Sequence, residues 1–224
     1  METIKLIEMI RAMAKAVIEA EPELTKLDCE LGDGDCGIGM KTGFLAVLNA
    51  LEGKEDCEAA EILKITAKSL ISAVGGTSGA IYGTAFMRMA KQADTYVGTT
   101  PDLMQVGEIL KAGLEGARMR GENTQIGDKT LIDALEPAVC AFQEEAGRGA
   151  SLQEACHAAT LAAKAGSDST IDMIAKKGRA SYLGERSIGH RDAGSYGIYI
   201  IAEAIERAGD RYEKDYECTG KRCK

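Results

Sequence analysis

The stretch Leu-Asp-Cys-Glu-Leu-Gly-Asp-Gly-Asp-Cys-Gly-Ile-Gly, residues 27–39, decides how the rest of the sequence is interpreted. It places three carboxylates, Asp28, Asp33 and Asp35, among four glycines. On a continuous helix, at about 100° per residue, the three would point to different faces. Glycine ends the helix and lets the chain fold back, so the carboxylates can meet around a cation.

Two interpretations of this stretch are open. Oxygen ligands favour the hard ions Mg²⁺ and Ca²⁺, and Mg²⁺ often shares its coordination with substrate phosphates. Backbone N–H groups beside glycines can also bind phosphate. The alternative is an acidic surface turn, because Asp and Gly are ordinary turn residues.

Composition restricts the class of protein. The 224 residues carry a net charge of −8, which disfavours nucleic acid as a partner, and only 4% of them are aromatic. The seven cysteines form no C-x-x-C pair, and the first residues lack the apolar core of a signal peptide. We therefore expect a reduced, cytoplasmic protein, in which Cys218 and Cys223 lie in a polar tail. The longest uncharged run, residues 69–87, contains four glycines, so we expect no membrane span.

Helical periodicity dominates the chain. Three apolar stripes recur at helical spacing: Ile4, Ile7, Ile10, Met13, Ala14, Val17 and Ile18; Met40, Phe44, Val47, Leu48 and Leu51; and Ile62, Leu63, Ala67, Leu70, Ile71 and Val74. Asp102 and the pair Ser151 and Glu154 are typical helix starts, and Pro137 falls inside a helical pattern. We predict an all-α, eight-helix antiparallel up-and-down barrel or bundle. Residues 1–208 form one domain in this prediction, and residues 209–224 form a polar, frayed tail.

Three further segments have the composition of ligand-binding loops. They are Gly75-Gly76-Thr77-Ser78-Gly79, then Gly121 followed by Gly127-Asp128-Lys129-Thr130, and the basic segment from Lys176 to Gly194. The first two would bring helix N-termini to an anion, although each motif taken alone is better explained by a tight turn or a simple helix cap. Arg179 can contact phosphate oxygens in a phosphoryl transfer, or pair at the surface with Glu185 or Asp192.

Taken together, these motifs resemble those of a known family. The order Leu-Asp-x-x-x-Gly-Asp-Gly-Asp, Gly-Gly-Thr-Ser-Gly with Tyr-Gly-Thr-Ala-Phe, Gly-Asp-Lys-Thr, and Gly-Arg-Ala-Ser-Tyr-Leu-Gly-Glu-Arg-Ser-Ile-Gly-His resembles the L subunits of dihydroxyacetone kinases. The same module is the C-terminal domain of single-chain dihydroxyacetone kinases. The likeness runs from about residue 5 to about residue 207.

The resemblance implies a nucleotide and metal site at one end of an eight-helix barrel. Asp28, Asp33 and Asp35 would hold two Mg²⁺ ions against the phosphates of ADP or ATP, and Arg179 would be the catalytic residue. The implied nucleotide contacts are Cys36, Gly37, Ile38, Gly39, Thr77, Ser78, Gly121, Leu131, Arg179, Asp192, Ala193 and Gly194. Cys36 stands where many L subunits have histidine, and Ala193 stands where proline is common.

The resemblance also implies that this chain needs a partner. In the family, dihydroxyacetone is held by a histidine on a separate K subunit or domain, and some relatives receive phosphate from a phosphotransferase-system protein. We expect a kinase subunit that is inactive without its K subunit, and a homodimer. The alternatives are a kinase module for another ketose such as erythrulose, and a non-catalytic nucleotide-sensing regulator.

Overall fold

Helices account for most of residues 3–219, the backbone that the computed structural model describes; side chains are described for residues 5–209. Residues 3–219 contain no strand, which confirms the all-α prediction. The α-helices are α1 (Thr3–Glu19), α2 (Glu21–Leu31), α3 (Cys36–Ala50), α4 (Ala59–Ala73), α5 (Gly76–Ala93), α6 (Leu103–Arg120), α7 (Ile132–Gly147), α8 (Leu152–Ser169) and α9 (Ala193–Thr219). Short 3-10 helices span Asp94–Tyr96, Thr170–Asp172 and Arg179–Ser187.

The first two helices form one bent rod. The N–H of Ala20 donates to the carbonyl of Ala16, and the N–H of Leu24 donates to the carbonyl of Ala20, so the hydrogen bonding continues through the bend. Pro22 explains the bend, because proline has no N–H to donate and its ring crowds the preceding turn. Counted as rods, the helices of residues 3–219 therefore match the eight of the sequence prediction.

Each rod packs against the next one along the chain, and α9 packs against α1, which closes the ring. The apolar stripes face inward: Ile7, Val17, Phe44 and Ile62 are among the fully buried side chains. An apolar cavity of about 200 Å³ lies elsewhere between the rods, and its lining includes Met13, Phe86 and Phe142. Ile71 differs from the prediction, since half of its side chain is exposed where it crosses Gly83.

Helices α7 and α8 approach each other unusually closely. Pro137 lies inside α7 and cannot donate to the carbonyl four residues earlier, which belongs to Asp133. Gly166 of α8 packs directly on that carbonyl, because a Cβ at position 166 would lie 2.0 Å from the Asp133 oxygen. Pro137 leaves the Asp133 carbonyl without its usual helical donor, and Gly166 lets the backbone of α8 pack against that carbonyl.

Both helix starts predicted from capping patterns are confirmed. Asp102 with Gln105 and Ser151 with Glu154 each form a capping box, at the starts of α6 and α8. The predicted domain boundary at residue 208 falls inside α9, which continues to Thr219. Cys223 and the side chain of Cys218 lie outside the described residues. Within residues 3–219, no helix is long and apolar enough to cross a membrane.

Candidate functional site

Because consecutive rods alternate in direction, four joints meet at one end of the ring: α2–α3, α4–α5, α6–α7 and α8–α9. These joints contain the segments that the sequence analysis selected. We call this end the loop pole. The other joints, α3–α4, α5–α6 and α7–α8, lie at the opposite end.

Asp28, in the last turns of α2, and Asp33 and Asp35, in the α2–α3 joint, converge at the loop pole. One carboxylate oxygen from each of Asp28, Asp33 and Asp35 lies within 4.8 Å of the others. Asp28 is fixed by the N–H of Cys36, which donates to its Oδ2 over 3.1 Å. The chain turns back at Gly34, where φ is +74° and a Cβ would lie 2.5 Å from the sulfur of Cys29.

This donor set fits a hard divalent cation. All three candidate ligands are carboxylates, and Asp33 and Asp35 are exposed while Asp28 is half-buried. Like charges so close repel one another, so a cation between them lowers the electrostatic energy of the folded chain.

Arg179 brings a positive charge to the same cluster. Its Nη2 lies 2.9 Å from Oδ2 of Asp33, while 71% of its side chain stays exposed. The surface pair considered from the sequence, with Glu185 or Asp192, is therefore wrong for this arginine. Gly178, with φ of +60°, starts the 3-10 helix that carries Arg179 across the site. The guanidinium thus reaches the cluster and still presents donors to solvent.

Glycines set how closely the helices around the site approach one another. A Cβ at Gly37 would lie 2.3 Å from the hydroxyl of Thr25, so the first turn of α3 is held against α2. A Cβ at Gly43 would lie 2.1 Å from Cγ2 of Val74, the residue that ends α4. The α4–α5 joint therefore lies beside the N-terminal half of α3. Thr77 and Ser78 follow in the first turn of α5.

The remaining predicted contacts lie on the far side of the site. Gly121 ends α6 and lies near Ile81 of α5, with 3.6 Å between the Cβ it lacks and Cδ1 of that isoleucine. Gly194 faces Leu131 at the start of α7, where a Cβ would approach the leucine Cβ to 3.3 Å. The start of α9 therefore packs on the start of α7, where Leu131 precedes the first helical residue.

The carboxylate of Asp192 interacts electrostatically with Asp28 of the aspartate cluster and with Lys129 and Asp133 on the far side of the site. Its Oδ2 accepts from the N–H of Ser195 over 2.6 Å at the start of α9. Burial raises the pKa of Asp192 to about 7, and the negative charges of Asp133 and Asp28 add to the shift while the Ser195 N–H and Lys129 oppose it. Burial likewise raises the pKa of the Cys36 thiol to about 12, with help from Asp28, Asp192 and Asp35. Cys36 is therefore a neutral thiol at pH 7.

Two residues, one in the α6–α7 joint and one in the first turn of α7, have roles that could not be predicted from the sequence. Asp133 is buried, and its two oxygens accept from the N–H groups of Gly127 and Thr130 over 2.6 and 2.7 Å. Lys129 is buried as well, and its ammonium donates to the carbonyls of Thr170 and His190. The Gly-Asp-Lys-Thr motif indicated that the α6–α7 joint belongs to the site. It could not indicate the partners of Lys129, because Thr170 and His190 lie far along the sequence.

The comparisons with known proteins agree with this architecture. A family model described as the DAK2 domain matches residues 30–207. The ADP-binding subunit DhaL of the PEP-dependent dihydroxyacetone kinase of Escherichia coli K12 is 38% identical over 185 residues, 83% of this chain and 87% of that subunit. The chain belongs to the DAK2 domain family.

Two other proteins that are similar to this chain are much longer. An L-erythrulose kinase of Pectobacterium atrosepticum is 34% identical over 200 residues, which make up 88% of this chain and 33% of the kinase. The second is the crystal structure of the dihydroxyacetone kinase from C. freundii in complex with AMP-PNP and Mg²⁺. Its aligned sequence is 23% identical to this chain, and the two structures superpose with a TM-score of 0.69. That match covers 89% of this chain and 33% of the kinase chain, and it supports the all-α fold.

Proposed function

We propose that this chain is the nucleotide-binding L subunit of a dihydroxyacetone kinase. In this proposal it transfers a phosphoryl group from Mg-bound ATP to dihydroxyacetone that is held on a separate K subunit. The observation that carries the proposal is the convergence of Asp28, Asp33 and Asp35 beside Arg179, at the loop pole of a DAK2 domain. The E. coli relative, by its name, is an ADP-binding subunit of such a kinase.

The chemistry divides between the protein and its cofactors. Asp28, Asp33 and Asp35 would hold two Mg²⁺ ions, which neutralise phosphate charge when bound. Arg179 offers a planar guanidinium that can contact two phosphate oxygens at once, and its exposure leaves it free to do so. Phosphoryl transfer needs mainly positioning and charge neutralisation, and these are the properties of this site.

The nucleotide would be held by segments from all four joints. They are the Cys36–Gly39 turn, Thr77 and Ser78, Gly121 with Leu131, and the Asp192–Gly194 turn. The half-buried neutral thiol of Cys36 lies beside the aspartates, and Asp192 connects them to the start of α9.

We further propose a cytoplasmic homodimer that works with a K subunit. The phosphate donor is either exchanging ATP or a phosphotransferase-system protein that rephosphorylates bound ADP. A kinase module for erythrulose is the second candidate, favoured by the L-erythrulose kinase of Pectobacterium atrosepticum. Assays with either ketose on the cognate K subunit separate the two.

Calorimetry tests the proposal most directly. Clustered carboxylates repel phosphate in the absence of metal, so we expect ADP or ATP to bind in Mg²⁺ and to bind far more weakly in EDTA. Asp33→Asn should weaken Mg-dependent binding at least about tenfold without changing the helical content. Asp56→Asn, which changes an exposed aspartate in the α3–α4 joint at the opposite end, is the matched control. Equal affinity in Mg²⁺ and EDTA would refute the metal-bridged site.

A further inference from the structure

One lysine holds together the segment that carries Arg179. The Nζ of Lys129 donates to the carbonyl of Thr170 over 2.5 Å and to the carbonyl of His190 over 2.5 Å. Thr170 and His190 stand at the two ends of the α8–α9 joint, and Arg179 lies between them. A single ammonium group therefore closes the base of that joint.

The backbone around Lys129 is built for this contact. Lys129 adopts a φ of +61°, which is unusual for a residue with a side chain, and only 2% of it is exposed. Asp133 fixes the turn by accepting from the N–H groups of Gly127 and Thr130 on either side. An uncommon backbone conformation thus directs a charged side chain inward.

Burying an ammonium group is costly unless it is hydrogen-bonded and its charge is offset. The two carbonyls satisfy two of its three donors. The negative charges of Asp192, Asp172 and Asp133 surround it and oppose the effect of burial, which lowers the pKa of Lys129. The site therefore keeps a buried positive charge where an apolar residue of similar length could fill the space.

Two further hydrogen bonds join the two ends of the α8–α9 joint. The N–H of Gly189 donates to the carbonyl of Ile171 over 2.8 Å, and the N–H of Ala175 donates to the hydroxyl of Ser187 over 2.9 Å. These bonds draw the two ends of the joint together. Beyond them Arg179 reaches across to Asp33 on the α2–α3 joint.

We propose that Lys129 is a positioning residue for phosphoryl transfer, which acts by clamping the two ends of the α8–α9 joint so that Arg179 stays directed at the aspartate cluster. This inference rests on the proposed function. Lys129 itself points away from solvent, to Thr170 and His190, so its effect on the reaction passes through the joint. A lysine that only stabilised the fold would have no specific relation to Arg179.

A double-mutant cycle tests the relation to Arg179 in the complex with a K subunit. Lys129→Met keeps the length of the side chain and removes both hydrogen bonds, and we expect kcat to fall at least tenfold. Arg179→Ala should fall as far or further, and the double variant should be no slower than Arg179→Ala alone. Lys164→Met, which removes an exposed lysine paired with Asp168 on α8, should match the wild type. Additive losses in the double variant would overturn the proposal.

Hydrogen exchange tests the clamp without any activity assay. In Lys129→Met, amides of residues 171–191 should exchange at least tenfold faster than in the wild type, while amides at the opposite end of the barrel keep their rates. Unchanged exchange in the joint would overturn the clamp. If Lys129→Met does not fold, Asp133→Asn, which weakens the turn that presents the lysine, takes its place under the same criteria. A wild-type chain without Mg-dependent nucleotide binding would instead refute the proposed function, and the exchange result would still decide the clamp.

Discussion

Three charged residues of the site differ in how firmly the protein holds them. Arg179 is mostly exposed and rests on Asp33, so it can change partners at little cost. Asp192 is held at the start of α9, where burial and neighbouring carboxylates favour its protonated form. Lys129 is buried, and its ammonium donates to two backbone carbonyls. The three charged groups thus have different freedom to move, and only Arg179 is free to follow a ligand.

Arg179 should affect turnover rather than folding. Arg179→Lys keeps the charge but loses the planar fork that contacts two oxygens, so we expect kcat with a K subunit to fall by one to several powers of ten. Thermal unfolding should be unchanged, because the side chain is exposed. Arg186→Lys, an exposed arginine further along the Arg179–Ser187 segment, beyond the kink at Gly184, is the matched control. Wild-type turnover in Arg179→Ala at saturating nucleotide would rule out the catalytic role.

Asp192 should make stability depend on pH. Its pKa is raised to about 7 in the folded chain, against an ordinary value of 3.8, so the folded state keeps this proton when the unfolded state has lost it. Stability should therefore fall as pH rises from about 4 to about 7. The side chain introduced by Asp192→Asn cannot titrate. Between pH 5 and pH 7.5 we expect the free energy of unfolding of the wild type to fall by at least about 1 kcal/mol more than that of the variant.

Urea unfolding in EDTA at both pH values measures this difference. Asp56→Asn changes an exposed aspartate at the opposite end and should keep the wild-type slope. Equal slopes for the wild type and Asp192→Asn would show that Asp192 is ionised throughout this range.

At the scale of helices, local patterns were predicted well and distant partners were not. The capping boxes at Asp102 and Ser151 involve residues three positions apart, and the sequence predicted Asp102 as a helix cap and Ser151 with Glu154 as a capping box. Lys129 bonds to residues 41 and 61 positions away, and no local pattern reveals such partners. The break at Ala20 was also missed, because the apolar stripe of α1 leads into α2 without a glycine.

The contact between α7 and α8 predicts opposite effects for two glycines. Gly166→Ala would place a methyl carbon 2.0 Å from the Asp133 carbonyl oxygen, so the helices must separate. We expect a loss of about 2 kcal/mol or more in the free energy of unfolding. Gly147→Ala, at the end of α7 where a Cβ meets nothing within 4 Å, should instead gain up to about 1 kcal/mol.

Urea unfolding of the two variants at one pH measures both effects. Similar changes in the two would mean that helix propensity alone decides, and that the close approach of α8 to Asp133 carries no energetic weight.

At the scale of the whole molecule, the site depends on all the rods. Its residues come from four joints, and the ring brings these joints to one pole. The all-α, eight-rod architecture followed from periodicity, because an apolar stripe specifies a helix and the face that it buries. The convergence of the aspartates followed from glycines within one joint. The meeting of different joints could not be derived from spacing, because it depends on how the rods pack.

The isolated chain should not phosphorylate a sugar. The proposed function assigns the ketose to a K subunit, so Mg-ATP and dihydroxyacetone with this chain alone should give no phosphorylated product. Adding the cognate K subunit should start turnover, which a coupled assay can follow. A K subunit alone serves as the control, and turnover by the isolated chain would show that it binds the ketose itself.

The contact that closes the ring also orders events during synthesis. Met9 of α1 lies against Gly209 of α9, 200 positions later, so the side of α1 that faces α9 cannot be covered until almost the whole domain has left the ribosome. At about 5–20 residues per second, the apolar face of α1 waits roughly ten seconds or more for its partner. Closing so long a loop also costs entropy before any contact repays it. A nascent chain of this protein therefore leaves that side of its first helix uncovered until its last helix is made.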